Sequence, residues 1–177
     1  MRYFLLIAAT LAFLAPPAGA HGPTPQKAED NIAIAADPKV VWALIADFGA
    51  IASWHPMVAQ SVSEAGNKPG AERKVALKSG GVLVDGLDEY DAGAMSYSYR
   101  LAEPNAEALP VSFYSATLTV KPREGGGSTV AWIGRFYRGD TGNFPPDALN
   151  DEAAIKAMSG FFRTGLEGLK AKAEKNG

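Results

Sequence analysis

The segment from Asp37 to Pro56 constrains the fold of this chain more than any other stretch. It reads Asp-Pro-Lys-Val-Val-Trp-Ala-Leu-Ile-Ala-Asp-Phe-Gly-Ala-Ile-Ala-Ser-Trp-His-Pro. Asp37 offers an N-cap carboxylate and Pro38 a first-turn residue whose φ is already helical, so a helix starts here. Val41, Leu44, Ile45 and Phe48 then fall on one stripe. Gly49 breaks the pattern, and a second short helix is expected to end at Trp54-His55-Pro56. An alternating strand over 29–35 precedes the pair, and strand-like segments follow as far as residue 138. Few architectures begin strand, helix, helix and continue as one run of antiparallel strands.

Those strands are expected at 57–65, 71–78, 82–90, 94–103, 111–121 and 128–138, punctuated by Gly66-Asn67-Lys68-Pro69-Gly70 and the loose turn 122–127. The clearest hairpin joins 82–90 to 94–103. A three-residue loop, Asp91-Ala92-Gly93, with Gly93 left-handed, pairs Tyr90 with Ala94. Asp85 then lies opposite Tyr99 and Leu87 opposite Tyr97, with Leu83 and Leu101 extending the same face. In the last strand Val130, Trp132, Gly134 and Phe136 share a face. Beyond Asn143-Phe144-Pro145-Pro146 the chain reads as one long helix, with Ile155, Met158, Phe162, Leu166 and Leu169 as its buried stripe. Gly160, Gly165 and Gly168 each cost a helix interior about 1 kcal/mol relative to Ala, so tertiary contacts must hold it. The assembled order predicts an α+β fold: a seven-stranded curved antiparallel sheet wrapped on a long C-terminal helix, the helix-grip arrangement, with two short helices after the first strand closing one end.

The first twenty residues stand apart. Arg2, the apolar run 3–14 and Ala18-Gly19-Ala20 have the form of a cleavable signal peptide, too short to span a bilayer. Residues 21–28 read as a flexible leader and 29–175 as a single domain. Cleavage after Ala20 leaves sixteen Lys and Arg against nineteen Asp and Glu, a net charge of −3. That balance, without basic clusters, argues against nucleic acid or an anionic membrane as partner, and no membrane anchor is expected after cleavage. No cysteine is present, which excludes disulfides and a lipid-attached lipoprotein.

With that order in place, the chain resembles the START/Bet v 1-like (SRPBCC) superfamily, and within it the polyketide cyclase/dehydrase-like group. The carriers are Asp37-Pro38-X-X-Val41-Trp42, Phe48, Trp54-X-Pro56, Leu87-X-X-Tyr90-Asp91, Tyr97-X-Tyr99, Thr129-Val130-Ala131-Trp132 and the terminal helix. Trp54-His55-Pro56, Gly80-Gly81 and Tyr90-Asp91-X-X-X-Met95-Ser96-Tyr97, together with the export signal, are similar to the MxaD-type periplasmic accessory proteins of methanol oxidation. That resemblance implies a non-enzymatic periplasmic protein with methanol dehydrogenase and its c-type cytochrome as partners. The alternatives are a periplasmic carrier or sensor of a small hydrophobic ligand, and a cyclase/dehydratase-type enzyme.

In helix-grip proteins the space between sheet and helix is a ligand cavity. Here Trp54, Asp85, Leu87, Tyr97, Tyr99, Trp132, Phe136, Met158 and Phe162 are the expected lining, although the same aromatics would also serve as ordinary core. Asp85 is the sharpest of them, because a carboxylate on an apolar face needs a partner, for which the Tyr99 hydroxyl and Arg73 are candidates. His55 is expected near the pocket mouth, and His21 at the mature N-terminus is a weak copper-binding candidate. No metal site, cofactor or catalytic residue is assigned. The loop-like stretches 101–110 and 137–147 mix acids with Phe144 and prolines as a docking surface does, ordinary connecting loops being the alternative.

Overall fold

A computed structural model describes residues 22–175. The signal-peptide reading and His21 lie outside the described residues. Strands β1 (Gln26–Ile34), β2 (Val58–Ser63), β3 (Glu72–Leu77), β4 (Val82–Asp91), β5 (Ser96–Glu103), β6 (Val111–Pro122) and β7 (Ser128–Arg138) form one sheet of order β1-β7-β6-β5-β4-β3-β2. Helix α1 (Pro38–Ile45) and a 3₁₀ turn (Phe48–Ser53) follow β1, and helix α2 (Asp151–Ala173) closes the fold. β1 starts at Gln26, inside the stretch expected to be a leader.

The local chemistry accounts for these boundaries. Asp37 accepts a hydrogen bond from the Lys39 amide and caps α1, while Asp47 does the same for Gly49 at the start of the 3₁₀ turn. The second short helix expected to end at Trp54-His55-Pro56 is this six-residue 3₁₀ segment, which stops at Ser53 with Trp54 as its C-cap. Asn67, from the β2–β3 turn, accepts from Phe48 N at 2.8 Å and donates to Ala46 O at 2.8 Å, pinning the junction between α1 and the turn. Gly66 and Gly70 carry positive φ, as that turn requires.

The β4–β5 hairpin differs from the expected register. Its turn holds four residues, 92–95, and Met95 rather than Gly93 takes the left-handed conformation, at φ 51°. The Asp91 carboxylate accepts from Ala94 N at 2.8 Å and stabilises this longer turn. Tyr90 therefore pairs with Tyr97, and a bulge at Asp88 shifts the ladder so that Leu87 faces Tyr99 and Asp85 faces Leu101. Both expected pairings are off by two residues. An even offset keeps side chains on the same face, so Leu83, Asp85, Leu87, Tyr97, Tyr99 and Leu101 are all still buried.

α2 buries Ala154, Met158, Phe161, Phe162, Gly165, Leu166, Leu169 and Ala173. Ile155, expected in that stripe, is 40% exposed, and Ala154 takes the inward position one residue earlier. The helix also protects the sheet edge at β1. Lys170 Nζ donates to Ala33 O at 3.0 Å, Glu174 Oε1 accepts from Ala35 N at 3.0 Å, and Arg163 pairs with Asp30.

Candidate functional site

Arg73 on β3 and Asp85 on β4 are direct cross-strand partners, both pointing into the space between sheet and helix. Arg73 Nε and NH2 donate to Asp85 Oδ2 at 2.9 and 2.8 Å, and NH1 donates to the Phe48 carbonyl at 2.9 Å. The guanidinium lies over the rings of Phe48 and Tyr99, 4.2 and 4.7 Å from their centroids. Burial alone would draw the Arg73 pKa down, but the adjacent Asp85 charge overcomes this and holds it above its ordinary value. The remaining Asp85 oxygen accepts from the Tyr114 hydroxyl on β6. Burial first, then the Asp85 charge, push the Tyr114 phenol well above its usual range, so it stays a neutral donor. Tyr99 does not reach Asp85; its hydroxyl accepts from Trp132 Nε1 at 3.0 Å. The arrangement is an internally paired polar cluster inside an apolar core, with both Asp85 oxygens engaged.

Beside this cluster lies a void of about 10 Å³, lined by Val75, Leu83, Asp85, Tyr99, Leu109, Tyr114, Met158, Phe161 and Phe162. That is the lower bound for one water molecule, far below the 300–1,000 Å³ or so of a ligand pocket. Aromatic packing fills the rest. Trp132 stacks on Phe162 with centroids 4.6 Å apart, a fit made possible by Gly134, where a Cβ would lie 2.8 Å from the Phe162 ring.

The Trp54-His55-Pro56 segment is buried under α2. His55, 2% exposed, is not at a pocket mouth. Its Nε2 donates to Phe161 O at 3.0 Å, its Nδ1 accepts from Met57 N at 3.2 Å, and its ring stacks on Phe161 at 4.0 Å. Desolvation dominates its titration and lowers its pKa to about 4, so it is a neutral clamp between helix and loop. The helix glycines make the approach possible. A Cβ at Gly165 would lie 2.5 Å from His55 Cδ2 and 2.6 Å from Trp132, and one at Gly168 would lie 2.4 Å from Pro56 Cδ and Trp54 O.

Of the residues expected as lining, Asp85, Tyr99, Met158 and Phe162 border the void. Trp54, Leu87, Tyr97, Trp132 and Phe136 are buried in the surrounding core instead. Val75, Leu109, Tyr114 and Phe161 join them without having been among the expected residues. Tyr114 could have been found from the alternation Tyr114, Ala116, Leu118, Val120 along β6, which puts it on the inward face. Phe161 and Leu109 had no comparable signal. Among the described residues there is no group of three or more His, Cys, Asp or Glu that could hold a metal ion, and no helix long and apolar enough to cross a membrane.

The sequence matches, over residues 25–174, the family described as polyketide cyclase / dehydrase and lipid transport. Among solved structures, the protein XoxI from Bacillus cereus is 25% identical with a TM-score of 0.69, the match covering 82% of this chain and 94% of that one. A Thermobifida fusca protein solved by NMR is 29% identical with a TM-score of 0.66, covering 84% and 93%. The Zhui aromatase/cyclase of a Streptomyces species is 16% identical with a TM-score of 0.67, covering 86% and 96%, a likeness of fold alone. Comparison with the curated proteins gives no match.

Proposed function

The chain belongs to the polyketide cyclase / dehydrase and lipid transport family, and from that premise we propose that it is an exported, non-enzymatic accessory protein that acts through its surface. One observation carries the reading. The interior that would hold a substrate is filled down to a void of about 10 Å³, and both Asp85 oxygens beside it are already engaged by Arg73 and Tyr114. A carrier needs volume and an acid/base catalyst needs a group free to meet a substrate. The helix-grip body serves here as a rigid mount for its loops. The signal-like residues 1–20 support export, and N-terminal sequencing of the secreted protein checks it.

The partners proposed are methanol dehydrogenase and its c-type cytochrome, on the MxaD-type resemblance of Trp54-His55-Pro56 and the Tyr90–Tyr97 segment. The test is electron transfer between the two purified proteins with and without this chain, alongside pull-down of each. Faster transfer and capture of at least one are expected; no capture and an unchanged rate would sink the reading. A second reading, a binder of a small ligand, is favoured by the polar Asp85–Tyr114 head beside the apolar Met158, Phe161 and Phe162 wall. Native mass spectrometry of protein taken from its own periplasm separates the two, since a carrier retains added mass and a surface-acting protein does not.

A further inference from the structure

We propose that the end of the molecule built by residues 104–110 and 138–156 is a docking surface for a cationic protein with an apolar pocket, Phe144 being the side chain inserted; this rests on the surface-acting role inferred above.

Phe144 is 96% exposed, so it contributes nothing to the core. Its loop is nevertheless firmly built. Arg138 donates through Nε to Asp140 O at 2.8 Å, through NH2 to Gly142 O at 2.9 Å and through NH1 to Asp151 Oδ2 at 2.9 Å, tying the end of β7, the loop and the first turn of α2 together. Asp140 Oδ1 accepts from Gly142 N at 2.7 Å, and the Asp140 amide donates to Leu149 O at 3.1 Å. Pro145 and Pro146 follow Phe144 directly and restrict the chain further. The neighbouring loop is seated against this one, because a Cβ at Gly139 would lie 3.1 Å from Pro110 C. A braced loop loses little backbone freedom on binding, and buried aromatic anchors are enriched at the centre of interfaces.

Charge identifies the kind of partner. The two segments carry Glu107, Asp140, Asp147, Asp151 and Glu152 against Arg138 and Lys156, whereas the rest of the chain from residue 21 onward holds fourteen acids and fourteen Lys or Arg. The two segments therefore account for the whole net charge of −3, and Arg138 is itself paired with Asp151 and bonded to carbonyl oxygens. The neighbouring β3–β4 turn brings only Lys78, whose backbone is tied to Met57 O. Such a rim steers and orients a basic surface.

The test measures binding of the full mature protein to purified methanol dehydrogenase and to its purified c-type cytochrome at low and at physiological salt. Phe144→Ala should weaken the complex at least tenfold while the melting temperature stays unchanged. Asp147→Asn combined with Glu152→Gln should weaken it at low salt and flatten its salt dependence. If wild-type protein binds and these variants bind equally well, the surface is wrongly assigned while the accessory role stands. If wild type binds neither protein, the role and the partner both fall. A concentration-dependent dimer abolished by Phe144→Ala would make this face a contact between copies of the chain, and would also overturn the proposal.

Discussion

Asp85 and Arg73 illustrate how a single buried carboxylate is kept in an apolar core. Each is an expensive burial alone, and each is tolerated because the other sits across the strand pair at 2.8 Å. Asp85→Asn leaves the Arg73 guanidinium buried without its counter-charge and should cost about 3–5 kcal/mol in urea unfolding. Replacing both at once, Arg73→Met with Asp85→Leu, should cost less than that single change, because no uncompensated charge remains. His55 gives a pH signature. Its folded pKa of about 4 lies below the ordinary 6.5, so as pH falls the unfolded chain takes up the proton first. The stability conferred by neutral His55 is complete above pH 6.5 and declines as pH drops toward 4, by about 3 kcal/mol in all. Chemical denaturation at a series of pH values should show that slope in wild type and lose it in His55→Gln.

At the scale of elements, α2 shows how one helix carries glycines of opposite meaning. Gly160 faces open space, with nothing within 4 Å of a would-be Cβ, so Gly160→Ala should stabilise by about 1 kcal/mol through helix propensity alone. A Cβ at Gly165 would lie 2.5 and 2.6 Å from the His55 and Trp132 rings, so Gly165→Ala should destabilise by about 1–3 kcal/mol despite the same propensity gain. Thermal unfolding of the two variants reads the contrast directly. Sequence spacing shows that all three glycines are costly; only the contact with the Trp54–Pro56 loop separates those that are required. The β4–β5 hairpin carries a related lesson. Alternation placed its side chains on the correct face, while the Asp91-capped turn and the Asp88 bulge, which set the pairing, leave no comparable mark in the pattern.

For the whole molecule, the succession of strands and helices along the chain and the burial of the aromatics follow from residue patterning. Asp37-Pro38 starts α1, Gly66 and Gly70 turn β2 into β3, and the inward faces of β4, β5 and β7 read directly from alternation. These are local properties, because propensity, capping and period-two or period-3.6 burial act within one segment. Whether the enclosed space is a pocket or a core is not local. It depends on whether Phe161, Phe162, Met158 and Leu109 reach across to meet Tyr99 and Tyr114, and a gap of a few ångströms among residues far apart in sequence separates the two outcomes. The same holds for the choice among partners of Asp85: Arg73, opposite it on β3, takes the role for which Tyr99 was the other candidate, and Tyr114 joins from β6. Sequence alone thus determined the scaffold, the inward faces and the presence of a buried carboxylate. Tertiary structure decided that this carboxylate is neutralised within a filled interior, because pairing and packing density are set by distances between elements that no single segment encodes.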